Sequence, residues 1–296
     1  MMTLLDALLQ GILMGLLFAL VALGLNIIFG VMEIVNFAHG EFLMIGMYTT
    51  FWTSTLLSID PLLTLPVAAL VGMLLGLAAY YSLIRYLLRG PAIAQLFGTF
   101  GLMLFLRYLA QFLFGIDYRI IQKGLLIGKS LSIGPFVFDW TKIAAAILSL
   151  CAFALVYLFL NRTKTGKALQ ATSINKEAAS YMGIKTERMN AIAWIIGGGT
   201  VGVAGGLLAN FYYVYPTVGL LFVMIAFACV ALGGFGSIKG VFFAGILIGI
   251  IEMVFPVFGS LVGSDFLGPH FKFTVVYLAY FIIVVFRPQG LFGWKQ

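Results

Sequence analysis

The chain has 296 residues, of which 62% are hydrophobic and only 9% are charged, and its mean hydropathy is +1.12. A soluble domain carries about 25% charged residues because water must solvate its surface, so this composition excludes a soluble globular protein. The net charge of +7 comes from basic residues scattered between apolar runs. That distribution excludes a nucleic-acid groove and indicates the cytoplasmic loops of a membrane protein.

Nine apolar runs follow one another along the chain. A spanning helix needs about 20 mostly apolar residues, because in lipid it must satisfy its backbone hydrogen bonds internally. The runs lie at 8–29, 41–57, 62–84, 96–114, 141–160, 189–210, 218–235, 240–257 and 270–286. We predict one membrane-embedded domain, 1–296, that is an all-α polytopic transmembrane helical bundle. It has eight full spans and a ninth, near residues 30–57, that is broken or partial. The N-terminus lacks the basic region of a cleaved signal and is interpreted as a retained first span.

The segment 30–41 interrupts the first two runs with polar residues. Glu33, Asn36, His39 and Glu41 fall within it, and glycines bound it. Polar groups at membrane depth usually face a cavity or a partner helix, and broken helices expose backbone groups to a transported solute. A plain interfacial loop would carry similar residues, so periodicity alone leaves both interpretations open.

Glycines recur at spacings of four along several runs. The steps Gly11/Gly15, Gly72/Gly76, Gly198/Gly202, Gly236/Gly240 and Gly245/Gly249 let helix backbones approach closely, which favours a tightly packed bundle. In the late glycine-rich stretch we assign helix packing to six glycines: Gly233, Gly234, Gly236, Gly240, Gly245 and Gly249.

Basic loops predict the orientation. The loop 161–188 is the most basic, so we expect it to be cytoplasmic, with the N-terminus outside and the C-terminus inside. The 115–140 loop is then external, although it carries three basic residues. Two charges lie inside runs, Arg107 and Glu252, and one hypothesis pairs them, because an unpaired charge in hydrocarbon costs about 2.5–3.5 kcal/mol.

The sequence shows none of the motifs that we examined for catalysis, metal binding or cofactor binding. His39 and His270 lack the spacing of a metal site, and Cys151 and Cys229 sit in apolar runs, where we expect buried thiols. The run TKTGKALQ lacks the upstream glycine of a phosphate-binding loop. We therefore predict no enzyme activity, no metal and no cofactor.

Two stretches carry a family resemblance. Residues 36–41, NFAHGE, and residues 231–240, ALGGFGSIKG, resemble the LivH-type permeases of branched-chain amino acid ABC importers. The similarity extends from about residue 10 to the C-terminus. Glu33 departs from the family pattern, in which a small or apolar residue is expected. The resemblance implies that Asn36, His39, Glu41 and Glu33 belong to the substrate pathway.

Within the 161–188 loop, Glu177, Ala178, Ala179 and Gly183 have the spacing of the ATPase-coupling loop of ABC importer permeases. Small residues let a short helix seat in a cleft, and a glycine ends it readily. The usual Ile and Leu-Pro continuation is absent.

The resemblance implies a permease of a bacterial plasma (inner) membrane importer that translocates branched-chain amino acids. Its implied partners are a LivM-like second permease, two ABC ATPase subunits and an extracytoplasmic substrate-binding protein. Two alternatives remain open: a urea or short-chain amide permease of the same type, and an ion-coupled secondary transporter using its intramembrane acids.

Overall fold

The computed structural model describes residues 4–134, 136–261, 272–287 and 290–292. Its helices are α1 (Leu4–Met32), α2 (His39–Leu57), α3 (Leu65–Ala79), α4 (Arg85–Leu87), α5 (Ala92–Phe114), α6 (Trp140–Arg162), α7 (Lys164–Ile174), α8 (Lys176–Tyr181), α9 (Thr186–Leu208), α10 (Val218–Gly233), α11 (Ile238–Leu261) and α12 (Lys272–Phe286). A 3-10 turn, Pro61–Thr64, and a π-helical turn, Tyr80–Ile84, join α3 and α4 into one helical segment, Pro61–Leu87.

The predicted all-α polytopic membrane bundle is confirmed. Each of the nine apolar runs overlaps a helix, and within the described residues six helical segments are long and apolar enough to cross a membrane. Residues 270 and 271, at the start of the ninth run, lie outside the described residues. The sequence did not predict the small antiparallel hairpin of β1 (Ser130–Ile133) and β2 (Phe136–Asp139), in which Ser130 faces Asp139.

Helices α1 and α9 form the centre of the bundle. Each is 78% buried along its most apolar window, as expected for helices that are hydrophobic on every side. Glycine allows α11 to pack directly on α1: a Cβ at Gly11 would lie 2.7 Å from the Cα of Ile250. Such backbone contact stabilises helix pairs in lipid, where burial of apolar surface no longer drives association.

The loops gather at two ends of the bundle. We call one the hairpin end, because Arg119 pairs with Val214 there and Asp60 accepts a hydrogen bond from the Leu125 N–H beside the β-hairpin. The other is the basic end, where Arg85 forms an ion pair with Glu187. This grouping agrees with the alternation of loops that the nine runs predict.

The two thiols differ in their surroundings. Cys229 is buried in α10, whereas Cys151 lies on an exposed face of α6. The expectation that both are buried is therefore wrong for Cys151, because an apolar run in a membrane protein has an outward face as well as an inward one.

Candidate functional site

The polar segment between α1 and α2 forms a tight turn that returns into the bundle. Glu33 ends α1 in a left-handed conformation with φ of 55°, and its N–H donates to the Phe29 carbonyl. Asn36 then accepts a hydrogen bond from the Ala38 N–H through its own side chain, at 3.1 Å. This local bond replaces backbone pairing and starts the next helix at His39.

Helix α2 begins deep inside the protein and not at its surface. The His39 Nε2 atom lies 2.9 Å from the carbonyl oxygen of Val21, eleven residues before the end of α1. At 1.5 Å rise per residue, that point is about 16 Å from the end of the helix. The predicted broken or partial span near 30–57 thus corresponds to a re-entrant turn followed by a complete helix.

Helix α10 begins directly beside the start of α2, at the same depth in the bundle. Gly40 in the first turn of α2 contacts Gly219 in the first turn of α10, so closely that a Cβ on Gly40 would overlap the Gly219 carbonyl. The two N-termini therefore meet in the interior. Helix N-termini carry partial positive charge and free N–H groups, which favour an anionic group.

Glu41 forms a buried ion pair with Arg107 of α5. The Arg107 Nη2 and Nε atoms lie 2.5 Å and 3.1 Å from Glu41 Oε1, and the Glu41 side chain is only 1% exposed. The hypothesis that Arg107 pairs with Glu252 is wrong. Residues 41 and 107 lie 66 positions apart, and no sequence signal linked them.

Helix α5 lies over the turn and is the least buried of the six long spans, at 22%. Thr99 donates a hydrogen bond to the Val35 carbonyl at 2.9 Å, and Phe100 contacts Phe37 edge to face. These contacts and the ion pair attach α5 to the turn. Sequence analysis missed Thr99 because threonine is common in apolar spans.

The four predicted pathway residues do not all come together. Asn36, His39 and Glu41 are 0–1% exposed and lie in the turn and the first turn of α2. Glu33 is exposed at the end of α1, apart from these three. Because the inner three are buried, they do not line an open passage in this conformation.

Buried polar atoms without hydrogen-bond partners are concentrated along α2 and the turn before it. Six such atoms lie between residues 36 and 52: Asn36 Nδ2, His39 Nδ1, Glu41 Oε2, Tyr48 Oη, Thr50 Oγ1 and Trp52 Nε1. An unsatisfied polar atom in an apolar interior costs free energy, so such atoms usually mark bound water or a functional role. Their concentration makes α2 and the turn before it a candidate site for water or a polar solute.

The loop 161–188 folds into two short helices at the basic end. Thr163 caps α7 by accepting the Gly166 N–H at 3.0 Å, and Asn175 caps α8 by accepting the Ala178 N–H at 2.9 Å. Leu169 and Thr172 are buried on the inner face of α7. The loop is therefore an ordered unit fixed to the bundle.

Helix α8 contains three of the four predicted coupling residues. Glu177 and Ala178 are exposed, and Ala179 is buried. Gly183 ends the helix with φ of 83°, and the Ile184 N–H reaches back to the Ala179 carbonyl, as in a Schellman motif. A pocket of about 460 Å³ lies beside this turn, next to Ser180 and Lys185.

The six glycines assigned to helix packing divide into two groups. Gly233 and Gly240 contact each other between α10 and α11, while Gly245 and Gly249 contact α1. Gly234 and Gly236 instead lie in the turn before α11 with positive φ. Gly236 is thus outside a helix, and its N–H donates to Asn26 of α1 at 2.8 Å.

The chain matches the family model described as "Branched-chain amino acid transport system / permease component" over residues 7–285. It is 29% identical to the high-affinity branched-chain amino acid transport system permease protein BraD of Pseudomonas aeruginosa, covering 98% of this chain and 95% of that protein. It is 28% identical to LivH of Escherichia coli, covering 96% and 94% of the two chains. A probable LivH permease of Methanocaldococcus jannaschii is 29% identical, with 95% and 90% covered. No solved structure matches the chain.

Proposed function

The chain belongs to the family of branched-chain amino acid transport system permease components, and from this membership we propose that it is the permease subunit of an ABC importer for branched-chain amino acids. The relatives matching nearly its whole length are named for these solutes, which supports them over urea, short-chain amides or ion coupling. ATP is hydrolysed by partner subunits.

The observation that carries this proposal is the polar turn at mid-depth. Two helix N-termini suit the carboxylate of an amino acid, as in transporters whose broken helices bind anionic groups. The Glu41 charge is balanced by Arg107, so the site carries little net charge. This balance suits a zwitterion, and the surrounding apolar helices suit an aliphatic side chain.

The pathway runs beside Asn36, His39 and Glu41, and Glu33 lies at its inner mouth. Because the first three are buried in this conformation, translocation requires α5 to move relative to the turn. Helix α5 is the least buried long span, which is expected of an element that faces a second subunit. A LivM-like permease therefore contributes the other wall of the pathway.

The loop 161–188 couples the permease to the ATPase subunits through Glu177, Ala178, Ala179 and Gly183. Tyr181 at the end of α8 and Met182 directly after it are exposed, and apolar side chains exposed to water mark a protein interaction surface. Two ATPase subunits bind at the basic end, and a substrate-binding protein delivers the solute at the hairpin end.

The proposed location is the bacterial inner membrane, with the N-terminus outside and the C-terminus in the cytoplasm. Ser173 is exposed on α7, so a cysteine placed there tests the orientation in a Cys151→Ser background. We expect an impermeant thiol reagent to label it only after the cells are opened. Labelling in intact cells would reverse the orientation and contradict the coupling role.

The decisive experiment is uptake by the complete complex, purified through a tag on this chain and reconstituted in proteoliposomes with its binding protein. We expect ATP-dependent accumulation of radiolabelled leucine that excess isoleucine inhibits and urea does not. Asn36→Ser keeps a side-chain oxygen that can accept the Ala38 N–H, introduces no charge and removes the amide group, so it should lower uptake while the complex still assembles. Accumulation of urea, or of leucine without ATP, would overturn the proposal.

A further inference from the structure

A cavity of about 560 Å³ opens at the hairpin end, between the last turns of α2 and the segment 120–125. It lies away from the mid-depth turn, since Phe51 on its wall is twelve residues beyond His39 along α2. At 1.5 Å per residue, the two levels are about 18 Å apart. The volume falls within the range of about 300–1,000 Å³ typical of small-molecule sites.

The walls of this cavity are of two kinds. Phe51, Ile59, Ile120 and Ile121 supply apolar surface that matches an aliphatic side chain. The polar wall carries charges of both signs, from the carboxylate of Asp60 and the ammonium of Lys123, together with hydroxyl groups. A zwitterion with an apolar side chain complements both walls, whereas a neutral amide complements neither charge.

Fixed contacts hold the cavity in shape. The two oxygens of Asp60 accept the N–H groups of Leu62 and Leu125, at 3.0 Å and 2.5 Å, and so join α2's end to the opposite wall. Arg119 donates to the Phe114 carbonyl at 2.7 Å and lies over the ring of Phe51, 5.8 Å from its centroid. A pre-formed site loses little conformational entropy when it binds a ligand.

Helix α2 also carries buried polar atoms near the cavity. Thr50, the residue before Phe51, is fully buried and its hydroxyl has no hydrogen-bond partner in the described chain. The Tyr48 hydroxyl and the Trp52 indole N–H are buried and unpartnered as well. Along α2, Tyr48 and Thr50 lie between Phe51 at the cavity and His39 at the buried turn.

From these observations we infer that the cavity is an outer binding site for a zwitterionic aliphatic amino acid, occupied before the solute reaches the mid-depth turn. Lys123 binds the carboxylate, the exposed part of the Asp60 carboxylate binds the ammonium group, and the apolar wall receives the side chain. This inference rests on the proposed function and adds a site at the hairpin end that the pathway residues do not include.

The test is protection of a cysteine in the cavity by leucine, without the binding protein. Thr55 lines the cavity and is exposed, so Thr55→Cys is introduced into the complete complex in a Cys151→Ser background. Leucine in the millimolar range should slow its labelling by an impermeant thiol reagent several-fold, and urea should not. Adding Lys123→Gln should abolish the protection, and adding Lys123→Arg should retain it.

Lys129→Cys is the matched control, because Lys129 is exposed in the same loop but does not line the cavity. Its labelling should be unchanged by leucine. If leucine leaves Thr55→Cys unprotected while the unloaded binding protein protects it, the cavity is a docking surface for that protein and the inference is wrong. If neither protects it while the complex still accumulates leucine with ATP, the outer site is refuted and the proposed function stands. If the complex without any of these substitutions takes up no leucine with ATP, the proposed function itself is refuted.

Discussion

The α1–α2 turn and the 161–188 loop both depart from the usual arrangement in which apolar side chains are buried and polar ones are exposed, but they do so in opposite ways. The turn buries Asn36 and His39 completely within an apolar bundle. The loop, which lies outside the spans, exposes Ile174, Tyr181 and Met182 at 82%, 86% and 83%. One region hides polar groups from water, and the other presents apolar groups to it.

The difference indicates what each region contacts. A buried polar group without a partner costs free energy, so it is retained where water or a solute can satisfy it. An exposed apolar side chain is covered when a protein partner docks. The difference agrees with the proposed division, in which the turn acts on the solute and the loop acts on another subunit. Variants that affect one region and spare the other test this division.

The largest effect is expected at the buried ion pair. Arg107→Gln leaves the Glu41 carboxylate buried and uncompensated, and breaking such a pair costs about 3–5 kcal/mol. We expect a marked fall in the unfolding temperature of the purified complex. The double variant Arg107→Gln/Glu41→Gln should recover much of the loss, because no buried charge remains.

The matched control is the exposed ion pair of Arg85 and Glu187, whose side chains are 38% and 64% exposed. Glu187→Gln should change stability by less than about 1 kcal/mol, because solvent screens such pairs. Equal losses of stability for Arg107→Gln and Glu187→Gln would show that the buried pair stabilises the protein no more than the exposed pair does.

In the loop, the largest expected effect is on partner binding. Replacing both Tyr181 and Met182 with serine removes the apolar surface of α8, and interface hot spots contribute about 2 kcal/mol or more, roughly a 30-fold loss of affinity. ATPase subunits should dissociate more easily in a pull-down titration, while the permease keeps its unfolding temperature. Lys164→Ala, an exposed change in the same loop, should leave affinity unaltered. A stable complex with the double variant would remove the coupling role from α8.

A smaller effect is expected at the end of α8. Gly183→Ala meets no atom within 4 Å, so its cost comes only from the left-handed backbone, about 1–2 kcal/mol. The strain should disorder the last turn of α8 and lower leucine uptake per ATP hydrolysed in proteoliposomes. Unchanged coupling would show that the Schellman turn is dispensable.

The smallest effect should come from Thr99→Val, which keeps the shape of the side chain but removes its bond to the Val35 carbonyl. We expect a loss of about 0.5–1.5 kcal/mol, the usual contribution of one hydrogen bond, in equilibrium unfolding. Thr49→Val is the control, because the Thr49 hydroxyl bonds only to Ile45 of its own helix. Equal effects of the two variants would argue against a specific attachment of α5 to the turn.

Membrane class, helix content and the interruption before residue 41 were predictable from sequence, because lipid imposes one local rule on every span. An apolar run of about 20 residues must close its backbone hydrogen bonds within itself, so its helical state depends on its own composition. The polar residues of segment 30–41 interrupt the run of apolar residues, so the break between the first two helices could be located from sequence. The caps of α7 and α8 are local as well, since Thr163 and Asn175 each bond within three residues.

Tertiary structure alone decided which separate segments meet. The Arg107–Glu41 pair, the meeting of Gly40 with Gly219 and the contact of His39 with Val21 all join distant positions. Gly236 shows the same limit, since its spacing from Gly240 predicted a helix face and its backbone forms a turn that bonds to Asn26. Spacing along one helix shows which side chains share a face. Which other segment packs against that face depends on how all the helices pack together, and this cannot be read from the sequence of one segment.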